Sequence, residues 1–132
     1  AMLEQAGLNP ECRDRISFLQ VGAENTGLPA GTLDAIISAQ AFHWFDPQKA
    51  LSEFRRILKP SAGLALIWNE RDESDPFTRA YGDLLRTLPD TAGVELKRGV
   101  AGQALLDSQD FCKQERVCFE NRQLLDLNAL KA

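Results

Sequence analysis

Two short apolar runs constrain this chain more than any other feature. Leu33 to Ala39 reads Leu-Asp-Ala-Ile-Ile-Ser-Ala, and Gly63 to Trp68 reads Gly-Leu-Ala-Leu-Ile-Trp. Runs this short and nearly continuous fit strands buried on both faces, as in parallel sheets covered by helices on either side. Parallel strands need a crossover, and the sequence between the runs supplies one. Asp46 is a suitable N-cap, and Pro47 fits the first helical position, where its missing N–H removes no hydrogen bond. Ala50, Leu51, Phe54, Ile57 and Leu58 then share one helical face, and Pro60 blocks continuation. Strand, helix, strand in this order is a βαβ unit with an expected right-handed crossover. The fold class is α/β.

The flanks extend the pattern. Ile16 to Val21 is β-branched and aromatic and stops at Gly22, which predicts a strand; Asn25 to Gly31 is turn-rich. The Asp-Pro helix start repeats at Asp75-Pro76, followed by Phe77, Ala80, Tyr81, Leu84, Leu85 and Leu88 at helical spacing. Pro89 to Asp110 has no clear periodicity, and Phe111 to Phe119 predicts another strand, with Val117 and Phe119 on one face. Met2 to Ala6 is already helical in pattern with no cap before it, and Leu124, Leu127 and Leu130 begin a further apolar helix face. Both ends therefore read as cuts through secondary structure. The expectation is a single α/β domain over residues 1–132, incomplete at both ends.

Composition removes several function classes. The chain has 132 residues, 44% hydrophobic and 26% charged, enough for one core and too few for two full domains. Lys plus Arg is 15 and Asp plus Glu is 19, a net charge of −4, which argues against a nucleic-acid surface. No run reaches the roughly 18 apolar residues of a membrane span, and the N-terminus lacks the basic and apolar regions of a signal peptide. Three scattered cysteines, Cys12, Cys112 and Cys118, read as reduced thiols, Cys112 and Cys118 as structural ones, and the expected location is cytoplasmic. A single histidine excludes a multi-histidine metal site. Glu70, Asp72, Glu73 and Asp75 lack converging ligand spacing and read as a solvated acidic loop, so no metal is expected.

Ligands of open parallel sheets bind beyond the carboxyl ends of the strands. Those ends are Gly22-Ala23-Glu24, then Gln40-Ala41-Phe42-His43-Trp44-Phe45, then Asn69-Glu70-Arg71-Asp72. The first offers backbone amides, the second aromatic faces and one imidazole, the third polar and acidic groups. Together they suit a small organic ligand.

These segments, in this order, resemble the class I methyltransferases dependent on S-adenosylmethionine. The resemblance rests on Ala23-Glu24, Gly27-Leu28-Pro29, the Phe-Asp-like Leu33-Asp34, His43-Trp44-Phe45 and Leu58-Lys59-Pro60, and it covers residues 2–77 well and the remainder loosely. It looks closest to the small-molecule branch with His-Trp-Phe after the fourth strand. It implies a partial Rossmann-like, doubly wound, mostly parallel sheet, lacking the first two strands and the glycine-rich loop. It also implies that Gly22, Ala23 and Glu24 hold the adenine ring and that Ala39, Gln40 and Ala41 line the methionine and ribose side. His43 and Trp44 would then face the methyl acceptor. Many relatives carry an acidic residue where Gly22 stands, so adenine contacts here fall to backbone. Ser61-Ala62-Gly63 replaces the usual Gly-Gly after Lys-Pro, a change expected to matter only to the turn.

Each site residue has a plainer alternative. His43 is a candidate catalytic residue, taking a proton from the acceptor, or a buried histidine that fixes its loop. For a methyl donor already activated as a sulfonium, proximity supplies much of the rate, and a carboxylate acceptor needs no base. Trp44, Phe42 and Phe45 offer a cation–π wall, with Phe45 the best candidate for a staple under the following helix. Asn69 and Arg71 are candidates for holding a carboxylated substrate, although an ion pair with Glu70 or Glu73 explains Arg71 equally well.

The leading expectation is the central to C-terminal part of a transferase for a small-molecule carboxyl or hydroxyl group, inactive as this isolated fragment. The alternative is a non-catalytic remnant or interaction protein that pairs through an exposed sheet edge, with a partner or with its own copy. A nicotinamide-dependent oxidoreductase shares the architecture but needs a glycine fingerprint that does not follow any strand here.

Overall fold

The computed structural model describes residues 15–122 and 126, apart from the side chains of residues 89–92, 94–96 and 98–99. The helical pattern of Met2 to Ala6, Cys12 and the apolar face begun by Leu124 lie outside the described residues.

The βαβ unit forms as the apolar runs require. β1 spans Leu33–Ala39 and leads through a 3-10 turn at Phe42–Trp44 into α1, Pro47–Ile57, and then β2, Leu58–Ile67. The two strands pair in parallel, with Ile36 opposite Leu64 and Ala39 opposite Ile67. Asp46 caps α1 by accepting from the Lys49 N–H at 3.2 Å, with Pro47 opening the first turn. β2 begins at Leu58, well before the apolar run. The register shifts between Leu33 and Ala35, leaving excess chain around Ser61, whose φ is 66°. The turn after Lys59-Pro60 thus adopts the left-handed backbone that a glycine would take without strain.

Alternation decides which side of the sheet carries the core. Ile36, Leu64 and Leu66 point to one face and pack against a cluster of Phe42, Ala50, Leu51, Phe54 and Ala101. On the other face Ala35, Ile37, Ala39, Ala65 and Ile67 are exposed, Ile37 at 68%. The sequence predicts cover on both faces; among the described residues helices cover one.

α2 spans Pro76–Arg86, capped by Asp75, which accepts from the Thr78 N–H at 2.9 Å. α3 runs Pro89–Leu106 through the stretch without readable period and packs against the 3-10 turn, α1 and α2. Gly93, Gly99 and Gly102 weaken its intrinsic propensity, so its helicity depends on packing, with Ala101 buried in the core.

Two expected strands do not form. Ile16 to Val21 is exposed, irregular backbone followed only by an isolated bridge between Gly22 and Asn25. Phe111 to Phe119 is likewise irregular, with Phe119 at 86% exposure. β-Branched composition marks a residue that fits a pleated surface, but a strand needs a neighbour to bond with, and neither segment has a ladder among the described residues. Cys112 and Cys118, read from sequence as structural thiols, are exposed.

Candidate functional site

β1 ends at Ala39, and the chain turns sharply there because Gln40 adopts φ 52°. The Gln40 N–H donates to the Ile67 carbonyl at 2.9 Å, which holds the carboxyl ends of β1 and β2 together. The 3-10 turn that follows drives Phe42 into the core at 0% exposure and buries His43 at 5%, while Trp44 stays 60% exposed. Phe45 packs edge-on against both Phe42 and Phe54, at centroid distances of 5.9 and 6.4 Å. It is the staple under α1 that its position before Asp46 suggests.

Two carboxylates clip the preceding loop onto this frame. Glu24 Oε1 accepts from the Asp46 N–H at 2.9 Å, which brings the Ala23-Glu24 corner to the start of α1 and beside the His43-Trp44 turn. Ala23 is half-buried against the core cluster. Gly22 fits closely, since a Cβ there would lie 3.3 Å from Glu24 Oε2. Further along the loop, Glu53 is buried and accepts from the Thr26 N–H at 2.9 Å and the Thr26 hydroxyl at 2.6 Å. It also accepts from Arg56 Nε at 2.7 Å, and Arg56 in turn donates to the Leu28 carbonyl at 2.8 Å. The Arg56 guanidinium and then the Thr26 donors hold the Glu53 carboxyl at about 2, against an ordinary 4.5.

Three of the expected segments therefore meet at the carboxyl ends of the strands: Gly22–Glu24, Ala39–Ala41 with His43 and Trp44, and the residues after Ile67. Asn69 is exposed there and Arg71 half-buried. Glu73 accepts from Arg86 at 2.8 Å, and the Arg86 guanidinium, with a smaller contribution from the Arg71 charge, lowers its carboxyl pKa, while Glu70 accepts from Arg116 at 3.2 Å. Two cavities flank α1, the first of them reaching Glu24 of this corner. One of about 370 Å³ runs along the outer side of α1 past Glu24, Lys49 and Arg56, and one of about 560 Å³ lies between Leu51 and the end of α3. Among the described residues no cluster of His, Cys, Asp and Glu has the makings of a metal site, and no helix is long and apolar enough to cross a membrane.

Two residues at the site escape a reading of the sequence. The Trp68 indole N–H donates to His43 Nδ1 at 3.3 Å, and the Lys97 ammonium lies 5.7 Å from the centroid of the Trp44 ring. Trp68 carried a signal, as the aromatic closing an apolar run at a strand end. Lys97 carried none, because the helix that delivers it was not legible.

Comparison with known proteins adds an independent line. The family model described as a methyltransferase domain matches residues 1–66, half of the chain. An uncharacterized methyltransferase of Mycobacterium tuberculosis is 41% identical over 63 residues, covering 48% of this chain and 26% of that protein. An uncharacterized methyltransferase of Schizosaccharomyces pombe is 46% identical over 54 residues, 41% of this chain and 22% of its own. A ubiquinone/menaquinone biosynthesis C-methyltransferase of Campylobacter jejuni is 31% identical over 109 residues, 80% of this chain and 46% of its own. The chain thus spans about a quarter of the mycobacterial relative's length. No solved structure matches it.

Proposed function

The chain belongs to the methyltransferase domain family, the class I enzymes dependent on S-adenosylmethionine, and from that premise we propose that it builds the acceptor-facing wall of a small-molecule methyltransferase. The acceptor is a carboxyl or hydroxyl group. The observation that carries this reading is the bond from the Asp46 N–H to Glu24, which brings the Ala23-Glu24 corner and the His43-Trp44 turn to one end of the sheet.

The residues present fit one side of the cofactor. Ala39 and Ala41 have side chains too small to obstruct a ligand, and the left-handed Gln40 between them turns the backbone away from the strand end. In this reading Gly22, Ala23 and Glu24 contact adenine through backbone, because the Glu24 carboxylate is engaged by Asp46. Ala39, Gln40 and Ala41 line the methionine and ribose side. S-Adenosylmethionine supplies a methyl group on a sulfonium, which needs alignment more than activation. His43, Trp44, Asn69 and Arg71 orient the acceptor, and the exposed Trp44 face beside Lys97 forms the rim. Calorimetric titration of S-adenosylmethionine into the whole protein carrying this chain is expected to give saturable binding. A titration without heat of binding at several temperatures contradicts the reading.

The bare face bearing Ile37 and Ile67, beside the free edge of β1 among the described residues, supports a second property: self-association of the chain. Sedimentation velocity is expected to show mass increasing with concentration, and a monomer throughout the micromolar range would remove it.

A further inference from the structure

We propose that Trp68 is a positioning residue that fixes His43 as the neutral imidazole with its proton on Nε2, so that His43 does not serve the acceptor site as a base. An indole N–H can only donate, so the ring nitrogen that receives it must present a lone pair. The Trp68 N–H reaches His43 Nδ1 at 3.3 Å, which leaves the single proton of the neutral ring on Nε2. Both partners are held by packing. His43 is buried within the 3-10 turn with its ring 4.7 Å from that of Trp44, and Trp68 is half-buried against the core cluster at the exit of β2. The bond from Gln40 to Ile67 fixes the spacing of the two chain segments that carry them. Moving the proton to Nδ1 would set two N–H donors against each other in a place with little water, which is unfavourable.

The consequence concerns the proton of the reaction and rests on the methyltransferase reading above; the tautomer itself does not. When an acceptor oxygen forms its bond to the methyl carbon, the carbon–sulfur bond breaks and its electron pair stays on sulfur. A carboxylate acceptor then becomes a neutral ester with no proton to lose. A hydroxyl acceptor must release one, and His43 cannot accept it, since Nδ1 is occupied by Trp68 and Nε2 already carries hydrogen. Any hydroxyl proton therefore departs to another base.

Long-range proton–nitrogen NMR of the imidazole tests this, with His43→Gln identifying the resonances by their loss. The wild-type ring at neutral pH is expected to show one unprotonated nitrogen at Nδ1 and one protonated nitrogen at Nε2. In Trp68→Phe, folded by its amide spectrum, the two nitrogens are expected to move toward a common averaged position, a change that a purely structural role for Trp68 would not produce. A proton on Nδ1 in the wild type, or an unchanged ring in a folded Trp68→Phe, overturns the proposal. Should Trp68→Phe fail to fold, the wild-type spectrum decides alone. A protein with the Nε2–H ring that binds no S-adenosylmethionine keeps this assignment and loses the methyltransferase reading; a cofactor-binding protein with the proton on Nδ1 does the reverse.

Discussion

Phe42→Ala is expected to lower folding stability by about 3–5 kcal/mol, the usual range for removing a buried phenylalanine. Phe42 has no exposed surface and lies between Phe45 and Phe54, with centroids 5.9 and 6.3 Å away. It is also the residue through which the 3-10 turn, α1 and Ala101 of α3 share one core. Domains hold a total of about 5–15 kcal/mol, so the loss would take a large share of it. The same residue begins the turn that seats His43 and exposes Trp44, so the site is expected to loosen along with the fold. Equilibrium urea denaturation of the whole protein measures the loss. A change below about 1 kcal/mol would show that the aromatic cluster is not the packing centre, since cavity formation at such a site does not come that cheaply.

The second large effect is acid sensitivity centred on Glu53. Its carboxyl is held at about 2 when folded and near 4.5 when unfolded, first by Arg56 and then by Thr26. A depressed carboxylate contributes stability that is present above its unfolded value and is lost as pH falls through the folded one. The loss therefore develops between pH 4.5 and about 2. Arg56 remains 42% exposed, so water screens that pair, and the two Thr26 donors keep the loop attached when salt weakens it. Melting temperatures across this window are expected to fall steeply for the wild type. In Glu53→Gln the curve should be flatter, beginning from a lower value at neutral pH because the charge-assisted bonds to Arg56 are gone. Equal slopes for the two proteins would mean that another carboxylate governs the acid limb.

Local chemistry made the central part of this fold legible. Asp46-Pro47 and Asp75-Pro76 each specify a cap and a first turn within two residues, and both helices begin there. The apolar runs of β1 and β2 admit few alternatives to a parallel pair. Ile16 to Val21 and Phe111 to Phe119 show the opposite case, since strand composition says nothing about whether a neighbouring ladder exists. α3 was hidden by its glycines, and with it went Lys97. The candidate site was readable at Ala39–Ala41 and His43-Trp44 because they follow directly from the end of a strand. Trp68 and Glu53 act across 25 and 27 residues of sequence, on His43 and Thr26, and periodicity carries no information at that range. Glu24 bonds the Asp46 N–H through its side chain, an engagement that a sequence alone does not reveal.

Amide chemical-shift mapping during titration of the whole protein with S-adenosylmethionine tests the placement of the cofactor most directly. Shifts concentrated at Ala23, Glu24 and Ala39 to Ala41, with smaller ones at His43 and Trp44, are the expected result. Shifts concentrated instead around Lys49 and Arg56 on the outer side of α1, or around Gln103 and Asp107 at the end of α3, would contradict it.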